Sequence, residues 1–278
     1  MARYSILIDI AKCNGCYNCF LACRDEYYGN DYLPYSAAQP LNGQFWMQVK
    51  EIERGVYPKP KVSYIPTPCM HCETAPCMIA AQDGAVYRRD DGIVMIDPQK
   101  AHGQKGIVNA CPYRVIYWNE DTQIPQKCTM CAHRLDEGET LPRCVESCPT
   151  GALVFGDLDD PQSEIARLSA QVQTESLHPE FKTGASVQYV GIPRRFVTGE
   201  IVFSDNESEC APNVKVKLTG EGQDRETVTD IFGDFEFEGL DKNGTYVVSV
   251  EADGYEPVEI EFTMLSDINF GEIELDPK

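Results

Sequence analysis

The 278-residue sequence has no run of the roughly 18 to 20 uninterrupted apolar residues that a helix needs to cross a bilayer, so membrane insertion is not expected. Its opening, MARYSILIDIAKC, has neither a long apolar core nor a small-residue cleavage site. Residues 4–10 alternate there and predict a strand, so export under a signal of its own is not expected. No glycine-rich phosphate loop or dinucleotide fingerprint occurs, and nothing pairs a base with a nucleophile. That leaves no catalytic residue to nominate and argues against an independent enzyme. Basic residues are scarce too: 24 Lys and Arg stand against 44 Asp and Glu, a net charge of −20. The scarcity is uneven. Residues 196–278 carry 21 acidic and 5 basic residues, a net of −16, which leaves −4 for residues 1–195. An acidic surface of this kind repels nucleic acid and anionic lipid, so neither is an expected partner, and solubility is a sufficient reason for the charge.

What the chain does have is cysteine. Of its thirteen, twelve precede residue 149. CNGCYNCFLAC contributes Cys13, Cys16, Cys19 and Cys23; CMHCETAPC contributes Cys69, Cys72 and Cys77; CTMC and CVESCP contribute Cys128, Cys131, Cys144 and Cys148; Cys111 stands alone in ACPYRV. The first group has the C-x2-C-x2-C-x3-C spacing in which three thiolates wrap one iron–sulfur cubane and the fourth reaches another. A tight loop with ligands three residues apart can present three sulfurs while its backbone N–H groups point at them and soften the cluster's charge. Cys111 and Cys148 each precede a proline, which fixes φ, removes a donor and turns the chain away. Structural zinc uses similar CxxC pairs, but a triple C-x2-C-x2-C is crowded for one tetrahedral ion. Disulfides are disfavoured without a secretion signal. Cys210, in the acidic portion, reads as an ordinary small residue.

Around these cysteines, His71 and His133 are candidates to donate to a cluster sulfur, or simply packed loop residues. Lys12, Arg24, Lys127 and Arg143 flank cysteines; positive charge there would favour the reduced form, and surface solubility explains them equally well. Met70, Met78 and Met130 read as an apolar shell that excludes water.

At these residues the chain resembles the iron–sulfur subunit of the dimethyl sulfoxide reductase family of molybdenum and tungsten enzymes. Such subunits usually carry four clusters in two ferredoxin-like halves, with ligands exchanged between the first and last groups and between the two middle ones. Here the family's pattern meets Ala81, Ala101, Gln104 and Ile107 where it has cysteines, all of them ligands of a single cluster. The resemblance then implies three [4Fe–4S] clusters, held by Cys13, Cys16, Cys19 and Cys148; by Cys23, Cys128, Cys131 and Cys144; and by Cys69, Cys72, Cys77 and Cys111. The phrases PTPCMHCETAPC, DGIVMIDPQKA, YWNED and QKCTMCAHRLDEG look most like the small subunits of the pyrogallol–phloroglucinol transhydroxylase, resorcinol hydroxylase and catechol dehydroxylase group. What this implies is electron transfer to a large molybdopterin-binding catalytic partner that holds a molybdenum or tungsten bis(pyranopterin guanine dinucleotide) centre and acts on hydroxylated aromatics. It also implies a cytoplasmic heterodimer, or a periplasmic one if the partner carries a twin-arginine signal. Because transhydroxylation is redox-neutral overall, a mainly structural role is the alternative, as is electron transfer in another enzyme of the family.

The expected architecture is α+β: a tandem ferredoxin-like domain over residues 1–158 with an insertion at 24–68, a helix and connector at 159–195, and an acidic seven-stranded β domain at 196–278. The insertion is rich in aromatics (Tyr27, Tyr28, Tyr32, Tyr35, Phe45, Trp46), which either cover the clusters or dock a partner, or pack into the chain's own core. Residues 85–97 predict a hairpin turning at 90–92, and 115–118 a short strand. DDPQSEIARLSAQV predicts a helix capped by Asp160, with Pro161 in its first turn and Ile165, Leu168 and Val172 on an apolar face leading toward the partner. Residues 177–193 show no period and read as a connector. Beyond Arg195 the pattern has period two, separated by Gly, Asn and Asp turns, and predicts a sandwich or barrel similar to transthyretin-like or carboxypeptidase-regulatory-like modules, which bind or brace.

Overall fold

The computed structural model describes residues 2–205 and 210–278, which fall into two compact units. The first comprises Met1–Ile52 and Ser63–Ile192, the second Glu53–Val62 and Pro193–Lys278. Among the described residues no helix is long and apolar enough to cross a membrane.

A three-stranded sheet organises the first unit. Strand Tyr4–Asp9 lies at its centre, antiparallel to Leu153–Asp157 and parallel to Gln188–Val190. Pleating sends Ile6 and Ile8 to one face and Leu7 to the other, and all three are buried, so the strand is covered on both sides. The Ile6 and Ile8 face joins the core that contains the cysteine loops. Two small hairpins complete that core: Val86–Arg88 with Val94–Ile96, turning through Gly92 at φ 87°, and Tyr117–Asn119 with Ile124–Gln126. The second begins two residues later than the sequence pattern suggests, because Val115 and Ile116 are buried without a strand partner.

The helix after the ferredoxin-like region is Glu164–Gln171, and its cap is Ser163, whose Oγ accepts the Ala166 N–H at 3.2 Å. Asp160 instead accepts the Gln162 N–H at 2.9 Å and closes the preceding turn, which contains Pro161. Serine thus outcompetes the upstream aspartate for the helix N-terminus. Ile165 is buried over the sheet, where Gly156 lets it approach, whereas Val172 lies past the helix and is exposed. The helix therefore covers its own sheet and does not lead away from it. Residues 177–192 likewise belong to the first unit: Val187 and Tyr189 are fully buried, and strand Gln188–Val190 extends the sheet. Irregular sequence here reflects a short edge strand with no room for a period. In the insertion, Tyr27 and Trp46 are core residues with rings 4.5 Å apart, while Tyr28 and Phe45 are exposed. Its hairpin, Gln48–Arg54 with Lys61–Thr67, has a tip that clusters with the second unit.

That second unit has seven strands of its own in two sheets. One orders Asp234–Leu240, Arg195–Phe203 and Ile268–Leu275; the other orders Gln223–Val228, Lys215–Gly220, Thr245–Glu251 and Val258–Thr263. Alternation places Val216, Leu218, Phe235, Phe237, Tyr246, Val248 and Val250 inward, and the acidic residues between them outward. The inserted tip adds cations to this acidic face: Lys59 pairs with Asp234, and Lys61 with both Glu236 and Glu238. Gly233 sits at φ 84°, and a Cβ there would lie 2.5 Å from the Ile201 carbonyl, so this turn requires glycine.

Phe237 is 2% exposed, at the centre of the second core. Phe237→Ala is expected to destabilise the second unit by about 3–5 kcal/mol, read as a lowered denaturant midpoint for its unfolding transition.

Candidate metal centres

The cysteine loops are built from backbone that side chains rarely adopt. Gly15 and Tyr17 in the first loop, His71 in the second, Arg114 after Cys111, and Met130 and Cys131 in the next all have φ between 44° and 69°. Left-handed residues of this kind cost about 1–2 kcal/mol each in an isolated chain, and they turn successive N–H groups toward one side. The sulfurs receive those donors. Met130 N–H reaches Cys128 Sγ at 3.4 Å and Arg143 N–H reaches Cys131 Sγ at 3.4 Å. Backbone N–H groups of Gly15, Phe20 and Met47 act on Cys13, Cys19 and Cys23 respectively, and those of Val115, Tyr113 and Arg114 on Cys111.

Eight of the cysteines are buried, three are half-buried, and Cys16 and Cys210 are exposed. Burial pushes thiols up because a lone thiolate is poorly solvated there. It carries Cys19 to about 12, Cys72 and Cys77 each to about 11, and Cys128 to about 12. Cys148 moves the other way: burial raises it, but the Thr150 hydroxyl and the N–H groups of Leu153, Thr150 and Ala152 outweigh that.

The thiols also act on one another. Cys19 feels Cys13, Cys148 and Cys16. Cys144 feels Cys131, Cys23, Cys128 and then Cys19. Cys72 feels Cys69, Cys111 and Cys77. Cys19 also acts on Cys23, and Cys69 is the thiol with the largest effect on Cys128, ahead of Cys131. Cys23, Cys128, Cys131 and Cys144 are all buried, whereas Cys16 is exposed. Cys210 lies in the second unit, remote in sequence from every set.

These residues fit iron–sulfur clusters: buried thiols that accept backbone N–H bonds are the kind of ligand a cubane takes at its corners. His71 offers a second observation. Its Nδ1 accepts the Val94 N–H at 3.0 Å, so the neutral ring carries its proton on Nε2, and that buried donor has no protein acceptor. A cluster sulfur is the class of acceptor such a donor suits. Burial, then the charges of Lys127 and Arg88, hold His71 well below the usual histidine range and so keep it neutral.

His133 has a different role. Its Nε2 contacts Glu26 Oε1 at 2.9 Å and its ring stacks on Tyr32 at 3.8 Å, in a network with Arg134, Arg143 and Glu146. Lys12 is exposed and paired with Asp9. Arg24 is a structural clamp: its guanidinium donates to Gln39 Oε1 at 2.7 Å and to the carbonyls of Pro40, Gln44 and Leu41, fixing the insertion. Lys127 is buried, so solubility does not explain it. Met70 and Met130 are each 1% exposed and seal the loops, while Met78 is only partly buried. Sequence reasoning did not find Tyr27, Thr150 and Thr183, whose hydroxyls act on Cys131, Cys148 and Cys72. Thr150 lies two residues after a cysteine, a local signal, but Thr183 is 111 residues beyond Cys72 and has none.

Where the family pattern has a further set of ligands, this chain has packing. Ala101 and Ile107 are fully buried and Ala81 packs against the core. Gln104 stitches the two segments: its Oε1 accepts the Gln82 N–H at 2.8 Å and its Nε2 donates to the Lys100 carbonyl at 2.8 Å. Gln104→Ala is expected to cost about 0.5–1.5 kcal/mol for each bond lost, measured as a lowered unfolding midpoint with iron content unchanged. Arg24→Met is expected to loosen residues 39–44, read as faster proteolysis within that segment, because charge-assisted bonds contribute about 1.5–3 kcal/mol each.

Residues 60–158 match the family model described as a 4Fe-4S dicluster domain, and residues 197–269 match the carboxypeptidase regulatory-like domain. The pyrogallol hydroxytransferase small subunit of Pelobacter acidigallici is 42% identical over 261 residues, spanning 91% of this chain and 92% of that protein. A tetrathionate reductase subunit of Salmonella typhimurium is 36% identical over 198 residues, spanning 70% of this chain and 75% of that protein. The arsenate respiratory reductase iron–sulfur subunit of a Shewanella species is 32% identical over 236 residues, 68% of this chain and 96% of that protein. With its buried thiol sets, its dicluster region and relatives matched over most of their length, the chain belongs to the iron–sulfur electron-transfer subunits of the dimethyl sulfoxide reductase family.

Proposed function

We propose that this chain carries three [4Fe–4S] clusters and wires them to the active centre of a larger molybdenum or tungsten bis-pterin subunit that acts on hydroxylated aromatic compounds. What supports this reading is the grouping of the thiols: Cys19 feels Cys13, Cys148 and Cys16, Cys144 feels Cys131, Cys23 and Cys128, and Cys72 feels Cys69, Cys111 and Cys77, while Cys210 lies in the second unit. Bound at these sets, [4Fe–4S] clusters supply one-electron transfer. The chain's own residues hold and insulate them: left-handed loops aim N–H donors at the sulfurs, and Met70 and Met130 exclude water. Tyr17, Leu21 and Phe45 are exposed large apolar residues, the first of them next to exposed Cys16 in sequence, and the ring of Phe20 lies 5.3 Å from that of Phe45. An apolar rim of this kind suits a permanent partner docked over the first set. Likeness to the pyrogallol hydroxytransferase small subunit over 92% of that protein supports an aromatic substrate for the partner.

Iron and sulfide analysis of the purified complex is expected to give about twelve of each per chain, since each cubane holds four. Sixteen would overturn the reading of Ala81, Ala101, Gln104 and Ile107, and a colourless, iron-free, folded protein would overturn the whole proposal. Cys72→Ser is expected to lower the iron content from about twelve to about eight per chain, with the signals of two clusters preserved in the reduced protein's electron paramagnetic resonance spectrum. Reduction of those signals during turnover with an aromatic substrate separates electron transfer from a purely structural role, in which they stay silent.

A further inference from the structure

Lys127 is 2% exposed. Its ammonium donates to two backbone carbonyls, those of Val94 and, at 3.0 Å, Cys128. Among the described residues no carboxylate pairs with it, whereas Lys12 has Asp9 at 3.1 Å and Arg143 has Glu146 at 2.7 Å. A buried ammonium is stable in a folded protein when an anion compensates it, and two neutral carbonyls are not an anion. The nearby histidine does not serve, because His71 accepts from Val94 N–H and is neutral.

Hydrogen bonds tie Lys127 to the loops of two different sets. Its ammonium sits on the carbonyl of Cys128 and on that of Val94, and the N–H of the same Val94 is held by His71, the residue next to Cys72. Among the described residues no other Lys or Arg is buried, and Lys12, next to Cys13 in the chain, is exposed and already paired.

We propose that Lys127 is an internal counter-cation shared by the Cys23–Cys128–Cys131–Cys144 and Cys69–Cys72–Cys77–Cys111 sets, making these two the high-potential end of the electron path and the Cys13 set its low-potential end. The inference rests on the cluster assignment above. A one-electron reduction adds one negative charge to a cluster and neither forms nor breaks a bond in the chain. A fixed cation in a dry interior stabilises that added charge more than the oxidised form, so it raises the potential, with little screening by salt. Electrons on this chain then settle toward the second and third sets.

The test is a dithionite potentiometric titration of the intact complex, followed by electron paramagnetic resonance, with K127Q and K127R compared with the wild type. Glutamine keeps two N–H donors for the two carbonyls and removes only the charge; arginine keeps the charge. With iron at the wild-type level, K127Q is expected to lower two of the three midpoint potentials and leave the third in place, and K127R to restore them. Unchanged potentials in K127Q, or one equal shift of all three, overturn the proposal and leave the cluster assignment standing. Loss of iron in K127Q with retention in K127R supports it, because charge is then what the site needs; loss in both overturns it in favour of shape. A wild-type protein without iron sinks this proposal and the cluster assignment together.

Discussion

Sulfur buried away from water is the constraint from which the first unit follows. Eight cysteines are buried in a chain of modest size, and burial pushes thiols such as Cys19 and Cys128 up, each to about 12. A bare pocket of this kind is a poor place for a thiolate, and iron reverses the preference by taking the proton's place. The loops that hold the thiols are correspondingly strained: non-glycine residues sit in left-handed backbone at Tyr17, His71, Arg114, Met130 and Cys131, where each N–H can face a sulfur. That conformation is unfavourable for the loop alone and becomes favourable when several donors share one polyanionic acceptor. The fold around the cysteines reads as a frame for this exchange. Strand Tyr4–Asp9 is covered on both faces, leads into the first loop, and is paired with the strand that follows Cys148. First and last cysteine groups are thus brought together by a single strand pairing.

Charge is distributed along the same line. Cys16 faces solvent, Cys23, Cys128, Cys131 and Cys144 are enclosed, and buried Lys127 sits on the carbonyls of Val94 and Cys128. Ala101 and Ile107 form a small apolar plug beside one glutamine that bridges two backbones, so that Gln104 meets its own needs within the loop pair. The same cannot be said of His71, whose Nε2 has no protein acceptor.

The second unit is stabilised by different means. It has a two-sheet apolar core and an acidic exterior that is neutralised in part by Lys215 and Lys217 on one of its own strands and in part by Lys59 and Lys61 on a hairpin tip supplied from far upstream in the chain. A sheet with this many outward carboxylates gains from such cations, and the arrangement explains why an excess of acid is tolerated at one edge.

Local spacing determined the most. The intervals among Cys13, Cys16, Cys19 and Cys23 follow from how a short loop wraps a cube, and the period-two pattern after Arg195 follows from the pleat, so both were legible in the sequence itself. The hairpin over residues 85–97 was legible for the same reason, its turn needing Gly92 in left-handed backbone. Tertiary structure alone decided what depends on contacts between distant residues. Ser163 and Asp160 are both good caps, and only the packing of Ile165 on Gly156 chose between them. Residues 177–192 have no period because one edge strand of three residues is too short to show one, yet pairing with Tyr4–Asp9 makes them core. Arg24, Lys12 and Lys127 look alike in sequence, each one residue from a cysteine. Burial and the reach of each side chain made one a clamp, one a surface ion pair and one a cation buried on two backbone carbonyls, because the free energy of a charge is set by its surroundings and not by its neighbours in the chain.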